Sequence, residues 1–249
     1  MLSKSQISLI KSLQLKKFRR AHHLFIVEGI KSITEFLNED YILHNIFYLP
    51  EMSSKVVNFP QNIKGIEITS DELHKISTLT TPQGILAVFN IPEEEIKPQD
   101  LKGKYTLALD NIQDPGNLGT IIRTADWFGI NVLVCSNDTA DVYNPKVVQA
   151  SMGSLARMKV KYCDLKSWLP TSQLNLYGAM LDGKSIYETE FNKEGIIIFG
   201  NEGHGIRENI IPFISDKITI PRVGKAESLN VAISSAIICS ELSRKMKKA

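Results

Sequence analysis

The second part of the chain alternates short apolar runs with helical segments, and that rhythm leaves few architectures open. Residues 106–110, 131–135, 159–162, 176–181, 195–199 and 217–220 read as strands. Residues 118–128, 145–151, 165–170 and 229–246 read as helices, with a weaker one over 208–213 broken by Pro212. Regular alternation of this kind predicts a parallel sheet, because each parallel strand must be reached through a crossover, usually a helix. Ile196, Ile197, Ile198 and Phe199 form an unbroken apolar run, as a strand covered on both faces requires. The expected fold class is α/β, a parallel-sheet C-terminal domain with helices on both faces. Ligands of such sheets bind beyond the carboxyl ends of the strands.

Three polar turns fall at those ends, where backbone N–H groups at helix starts are free to meet a ligand. In the first, Asp114, Pro115 and Gly116 make the bend, and Asn117 is placed to cap the helix. Arg123, read as near the helix start, opposes the macrodipole, a cost that points to a use such as holding a phosphate or activating a hydroxyl. The plain alternative for it is a surface ion pair with Asp126. The second turn, residues 198–206, carries Gly200, Gly203 and Gly205, whose spacing is not that of the dinucleotide fingerprint. Asn201 and Glu202 there are polar groups suited to a ribose or a catalytic partner, and His204 between glycines reads first as a turn residue. In the third, a strand stops at Pro221, a loop with Gly224 follows, and Ser228 and Asn230 open a long helix that either residue can cap. Glu227, in the same loop, suits the helix dipole.

The polar segment 91–104, with two prolines and one glycine, reads as a linker. Before it, residues 3–13, 32–37 and 71–76 read as helices, the last capped by Ser70; 24–27, 45–49, 65–68 and 84–89 read as strands. This is a small mixed α/β unit. The formal net charge is only +2, yet the first 20 residues hold Lys4, Lys11, Lys16, Lys17, Arg19 and Arg20 and no acid. A local patch of this kind grips a phosphate backbone even when the whole molecule is not a polycation. The basic tail from Arg244 reads instead as a solvated helix end. Cys135, Cys163 and Cys239 are widely spaced, offer no metal pattern, and suit a reducing cytoplasm. No apolar run approaches a membrane span, and the basic N-terminal stretch lacks the apolar core of a signal peptide. No metal is expected.

Taken together, Asn117-Leu-Gly-Thr-Ile-Ile-Arg123, Phe199-Gly-Asn-Glu-Gly-His-Gly205, and Ile220-Pro-Arg-Val-Gly with Ser228-Leu-Asn-Val-Ala232 resemble the three motifs of the SpoU, or TrmH-like, RNA 2′-O-ribose methyltransferases of the SPOUT superfamily. Phe25-Ile-Val-Glu-Gly29 and Thr81-Pro-Gln-Gly-Ile-Leu-Ala87 resemble the L30e-like RNA-binding domain that precedes this enzyme in many members. The resemblance implies an L30e-like substrate-binding domain over 1–92, a linker over 93–103, and a methyltransferase domain over 104–249 with a deep trefoil knot, in a homodimer. It implies S-adenosylmethionine as cofactor, held near Gly200, Asn201, Gly203, Ile220, Pro221 and Leu229, with Ala179 and Met180 as a further wall. Arg123 would be the central catalytic residue, assisted by Asn117, Glu202, Ser228 and Asn230. Lys16, Lys17, Arg19 and Arg20 would contact RNA, ribosomal RNA ahead of transfer RNA. Arg222 stands where an apolar residue is common in the family. Two other classes bear weighing: a non-catalytic RNA-binding or assembly factor on the same fold, and a nicotinamide-dependent oxidoreductase, which the missing dinucleotide fingerprint argues against.

Overall fold

The structure, a computed structural model, describes residues 2–56, 59, 65–93 and 95–247. In chain order the helices are α1 (Lys4–Ser12), α2 (Lys16–His22), α3 (Ile30–Asn38), α4 (Ser53–Val56), α5 (Ser70–Ile76), α6 (Pro98–Leu101), α7 (Pro115–Trp127), α8 (Pro145–Ser151), α9 (Leu165–Trp168) and α10 (Val231–Met246). The strands are β1 (Leu24–Glu28), β2 (Leu43–Tyr48), β3 (Gly65–Glu67), β4 (Ile85–Asn90), β5 (Tyr105–Leu109), β6 (Val132–Ser136), β7 (Lys159–Cys163), β8 (Leu176–Ser185), β9 (Gly195–Phe199) and β10 (Asp216–Thr219). They form two compact units, Met1–Glu93 with Asp141–Ala156, and Glu94–Ala140 with Arg157–Ala249.

The first unit is built on a sheet of order β1-β4-β2-β3, in which β4 runs antiparallel to β1 and β2 while β3 is parallel to β2. Every residue of β1 is buried, which a strand achieves only when both its faces are covered. Leu24, Ile26, Leu86 and Val88 face Ile10, Leu13, Leu73 and Ile76. The other face carries rings: Phe25 meets Phe36 at 5.3 Å and Tyr143 at 4.7 Å between centroids. Helix α5 is capped by Thr69, in a reciprocal box with Glu72, rather than by Ser70, which is already its first helical residue. Helix α2 was not legible in the sequence, because Lys-Lys-Phe-Arg-Arg shows no apolar period.

Tertiary contact explains both α2 and the division of the chain. The segment Asp141–Ala156 follows β6 in sequence but packs with the first unit, with α8 lying against β1. Arg19 is 2% exposed. Its Nη1 donates to the carbonyls of Leu13 at 2.8 Å and Gln14 at 2.9 Å, and its Nε and Nη2 donate to Asp141 Oδ2 at 2.9 and 2.5 Å. A buried guanidinium is tolerated only when paired and hydrogen-bonded in this way. Arg19 is therefore a structural residue, and the expectation that it contacts phosphate is corrected: the exposed cations of α2 are Lys17 and Arg20, with Lys16 half-buried.

In the second unit the sheet order is β10-β8-β9-β5-β6-β7, and every pairing is parallel. The parallel α/β architecture is as the alternation predicts. Strands β5, β6 and β9 are buried along their whole length. Ala108, Val134, Ile196 and Ile198 pack with Leu165, Leu169, Ile206 and Ile210, while α7 and α10 pack on each other. Strand β8 is longer than its apolar run: its register on β10 jumps from Gly178–Lys217 to Lys184–Ile218, so residues 179–183 stand out of the ladder. The segment expected as a linker holds α6, tied down by Lys159 Nζ on Asp100 at 2.9 Å. The expected helix over 208–213 is a single 3-10 turn, Ile211–Phe213. At the end of α10, Arg244 pairs with Glu241, and Lys245 donates to the carbonyls of Tyr187 and Thr189, a structural use of these two tail cations.

Removing one partner of a buried pair leaves the other charge uncompensated. Arg19→Met is expected to destabilise the protein by about 3 kcal/mol in urea denaturation. Adding Asp141→Leu is expected to recover part of that loss, whereas Arg20→Ala is expected to stay within about 0.5 kcal/mol.

Candidate active site

The site starts from strand register. Leu109 lies opposite Phe199, so β5 and β9 end side by side and their loops emerge together. Asp110 carries the ladder one step further, its N–H donating to Phe199 O at 2.8 Å. Asn111 then turns the chain with φ 59°, a left-handed conformation that Asn tolerates better than most side chains. Its carbonyl accepts from Asn201 Nδ2 at 2.9 Å, the first cross-link between the first and second turns.

Asp114, not Asn117, caps α7: its Oδ1 accepts from Asn117 N–H at 2.8 Å, with Pro115 at the first helical position. With Asp114 as the cap, the Asn117 side chain turns to other partners. Its Nδ2 donates to Glu202 Oε1 at 2.6 Å, and its Oδ1 accepts from Asn230 Nδ2 at 3.0 Å. Asn230 caps α10, its Oδ1 accepting from the N–H groups of Ala232 at 2.9 Å and Ile233 at 3.3 Å. The polarity of this chain is fixed from one end. The cap needs the Asn230 oxygen, so its NH2 group must face Asn117; the Asn117 oxygen is then taken, and its NH2 group must face the Glu202 carboxylate. All three turns meet in this one chain.

The glycine turn is closed by a two-way backbone bridge, Asn201 N–H to Gly205 O at 3.0 Å and Gly205 N–H to Asn201 O at 2.8 Å. Asn201 Oδ1 accepts from Gly203 N–H at 2.9 Å and His204 N–H at 3.3 Å, which leaves His204 an exposed turn residue. The glycines differ in purpose. A Cβ on Gly200 would run into the backbone of Gly205 and Ile206, and Gly205 has φ 68°, whereas a Cβ on Gly203 would meet only Asn201 Oδ1, at an ordinary contact distance of 3.5 Å. Beneath the turn, the buried Asp110 accepts the Arg207 N–H at 2.9 Å and pairs with the Arg207 guanidinium, which also reaches Asp138 at 3.1 Å. Burial opposes the Arg207 charge, but the carboxylates outweigh it and hold its pKa above the ordinary value. Neither Asp110 nor Arg207 stands out from the sequence pattern as a site residue. The available signal was an acid directly after an apolar strand, a position that demands a partner.

Arg123 lies on the exposed side of α7 and makes no hydrogen bond or ion pair among the described residues. Asp126, its alternative partner, is engaged by Arg157 at 2.7 Å. With α7 starting at Pro115, Arg123 is more than two turns inside the helix, so the expected macrodipole penalty does not apply. Ser228 is exposed and is not the cap. Of the expected cofactor walls, Ala179 and Met180 lie within β8 where it leaves the ladder and Ile220 directly follows β10; these three are half-buried, whereas Pro221 and Leu229 are exposed. Two shallow hollows of about 320 and 270 Å³ lie elsewhere, one beside Trp168 and Gln173, the other beside Tyr105 and Phe128. Neither contains a residue of the three turns. Among the described residues, no His, Cys, Asp and Glu group is arranged to hold a metal, and no helix is long and apolar enough to cross a membrane. Burial pushes the Cys239 thiol up to about 12 and the Cys163 thiol to about 11, so neither is a nucleophile.

This geometry defines a parallel α/β protein with a candidate site at the carboxyl edge of the sheet, assembled from three loops. The chain belongs to the SpoU rRNA methylase family, whose model matches residues 104–240. An MRM3-like substrate binding domain matches residues 4–87. Over 240 residues the chain is 32% identical to the 23S rRNA (guanosine(2553)-2'-O)-methyltransferase RlmP of Bacillus subtilis, covering 93% of each chain. A TrmH-family structure from Porphyromonas gingivalis is 40% identical, with TM-score 0.89 and full coverage of both chains. An AdoMet-bound rRNA methyltransferase from Sinorhizobium meliloti is 26% identical, with TM-score 0.87 over 98% of this chain and 97% of that one.

The close approach at Gly200 has a measurable consequence. Gly200→Ala is expected to cost about 2 kcal/mol by thermal or urea unfolding, as overpacking of fixed backbone does. Gly203→Ala is expected to stay within about 0.5 kcal/mol.

Proposed function

We propose that the protein is an rRNA methyltransferase that transfers a methyl group from S-adenosylmethionine to a ribose 2′-hydroxyl. The observation that carries this reading is the Glu202–Asn117–Asn230 chain, which ties the three family motifs into one site. The names of its relatives, RlmP among them, support rRNA as the substrate class.

The residues present fit the cofactor. Adenosine is uncharged and suits the half-buried apolar edges of Ala179, Met180 and Ile220, with Leu229 and Pro221 beside them and the backbone of Gly200, Asn201 and Gly203 as hydrogen-bonding rim. When bound, S-adenosylmethionine would supply an electrophilic sulfonium methyl group for a ribose oxygen that must give up its proton. The protein's part is to orient the acceptor and manage that proton. Arginine serves as a base only where burial disfavours its charge. Arg123 is exposed, so this reading gives it the phosphate beside the target ribose. Glu202, held by Asn117, and the hydroxyl of Ser228 are the polar groups left to face the nucleotide. Lys17 and Arg20, with Lys16, would grip RNA from the first unit, consistent with its substrate-binding family match.

A homodimer belongs to the same reading. Trp127 on α7 is 83% exposed and Ile233 on α10 about half exposed, an apolar pair on adjacent helices that a second copy would cover. The trefoil knot rests on family membership, and a cytoplasmic setting on the three unpaired thiols.

The test is transfer of labelled methyl to an rRNA transcript, followed by nuclease digestion. The label is expected on a ribose 2′-oxygen. Label on a base, or no transfer by the wild type together with tight RNA binding, would overturn the reading, the second in favour of a non-catalytic assembly factor. Arg123→Ala and Asn117→Ala are each expected to lower kcat by about 10²-fold, with cofactor affinity in the Arg123 variant unchanged by calorimetry.

A further inference from the structure

The structure assigns Arg207 as a positioning residue that holds the glycine turn closed by clamping it, through Asp110, to the end of β5. The assignment rests on the proposed function for its consequence in turnover, but its geometry stands apart from that function.

Asp110 is fully buried and holds both ends of the turn. Its N–H donates to Phe199 O, the last residue before the turn, and its carboxylate accepts the N–H of Arg207, which follows the turn. The Arg207 guanidinium closes on the same carboxylate and reaches Asp138 in the loop after β6. The main chain and side chain of Arg207 thus converge on one buried acid. Releasing the turn would strand that carboxylate without a cation or a backbone donor, which a buried charge does not tolerate. Between the two anchors, the Asn201–Gly205 bridge leaves Glu202 at the tip, facing Asn117. Arg207 forms no hydrogen bond with Asn117, Glu202 or Asn230, so its influence passes through the turn. A lysine cannot replace it in full, because a single ammonium lacks the fork that spans Asp110 and Asp138.

The test uses the full chain carrying Arg207→Gln. Hydrogen exchange at Gly203, His204 and Gly205 is read without cofactor or RNA, so it reports on the clamp whether or not the protein transfers methyl groups. Exchange at these three amides is expected to rise at least tenfold, while exchange in β5 and β9 stays unchanged. Where the wild type is active, kcat is expected to fall at least tenfold with KM for RNA within threefold. Arg207→Gln combined with Glu202→Gln is expected to be no slower than Glu202→Gln alone, because both act through the same carboxylate. Unchanged exchange at the turn, or losses that multiply in the double variant, would overturn the assignment. If the glutamine variant does not fold, Arg207→Lys takes its place: exchange between tenfold faster and wild type supports the clamp, and wild-type exchange overturns it.

Discussion

The site depends on the way one amide points. Asn117 stands between a helix cap and a carboxylate, and its oxygen and nitrogen are not interchangeable. The cap of α10 claims the Asn230 oxygen, and every donor and acceptor further along follows from that claim. Three loops that are far apart in sequence are thereby locked in one relative arrangement. Exposed hydrogen bonds exchange with water and add little to stability, so the value of this chain lies in geometry. It keeps Glu202 beside the start of α7 before any ligand arrives, which is what a reaction limited by orientation needs.

The supports beneath it have a different physical character. Register alone brings the ends of β5 and β9 together. Asp110 then fixes the glycine turn by charge in a buried setting, where removing a partner is costly, and Gly200 lets two backbones approach more closely than a side chain would permit. The first unit uses a related device with the arginine as the buried partner: Arg19, satisfied by one carboxylate and two carbonyls, holds a segment that follows β6 in the chain.

The sheet was legible because burial on both faces writes itself as runs such as Ile196 to Phe199, and alternation with helices implies parallel pairing. The three turns were legible from glycine, proline and capping residues at strand ends. What failed was non-local. Asp114 and Asn117 both suit a cap, and only the place of Glu202 and Asn230 shows that Asn117 is needed elsewhere. Arg19 reads like any basic surface residue until Asp141, 122 positions away, is beside it. Helix α2 has no apolar period because its fixed point is that buried guanidinium. Asp126 was a plausible partner for Arg123 by spacing, but Arg157 from a distant segment takes it.

The central claim is that these loops form one donor site at the carboxyl edge of the sheet. Titrating the protein with S-adenosylhomocysteine while following backbone amide resonances tests it directly. The account predicts that Gly200 to Gly203, Ile220 and Leu229 shift together with a single affinity. Shifts confined to the hollow beside Tyr105, Phe128 and Gly129, with these loops unmoved, would contradict it.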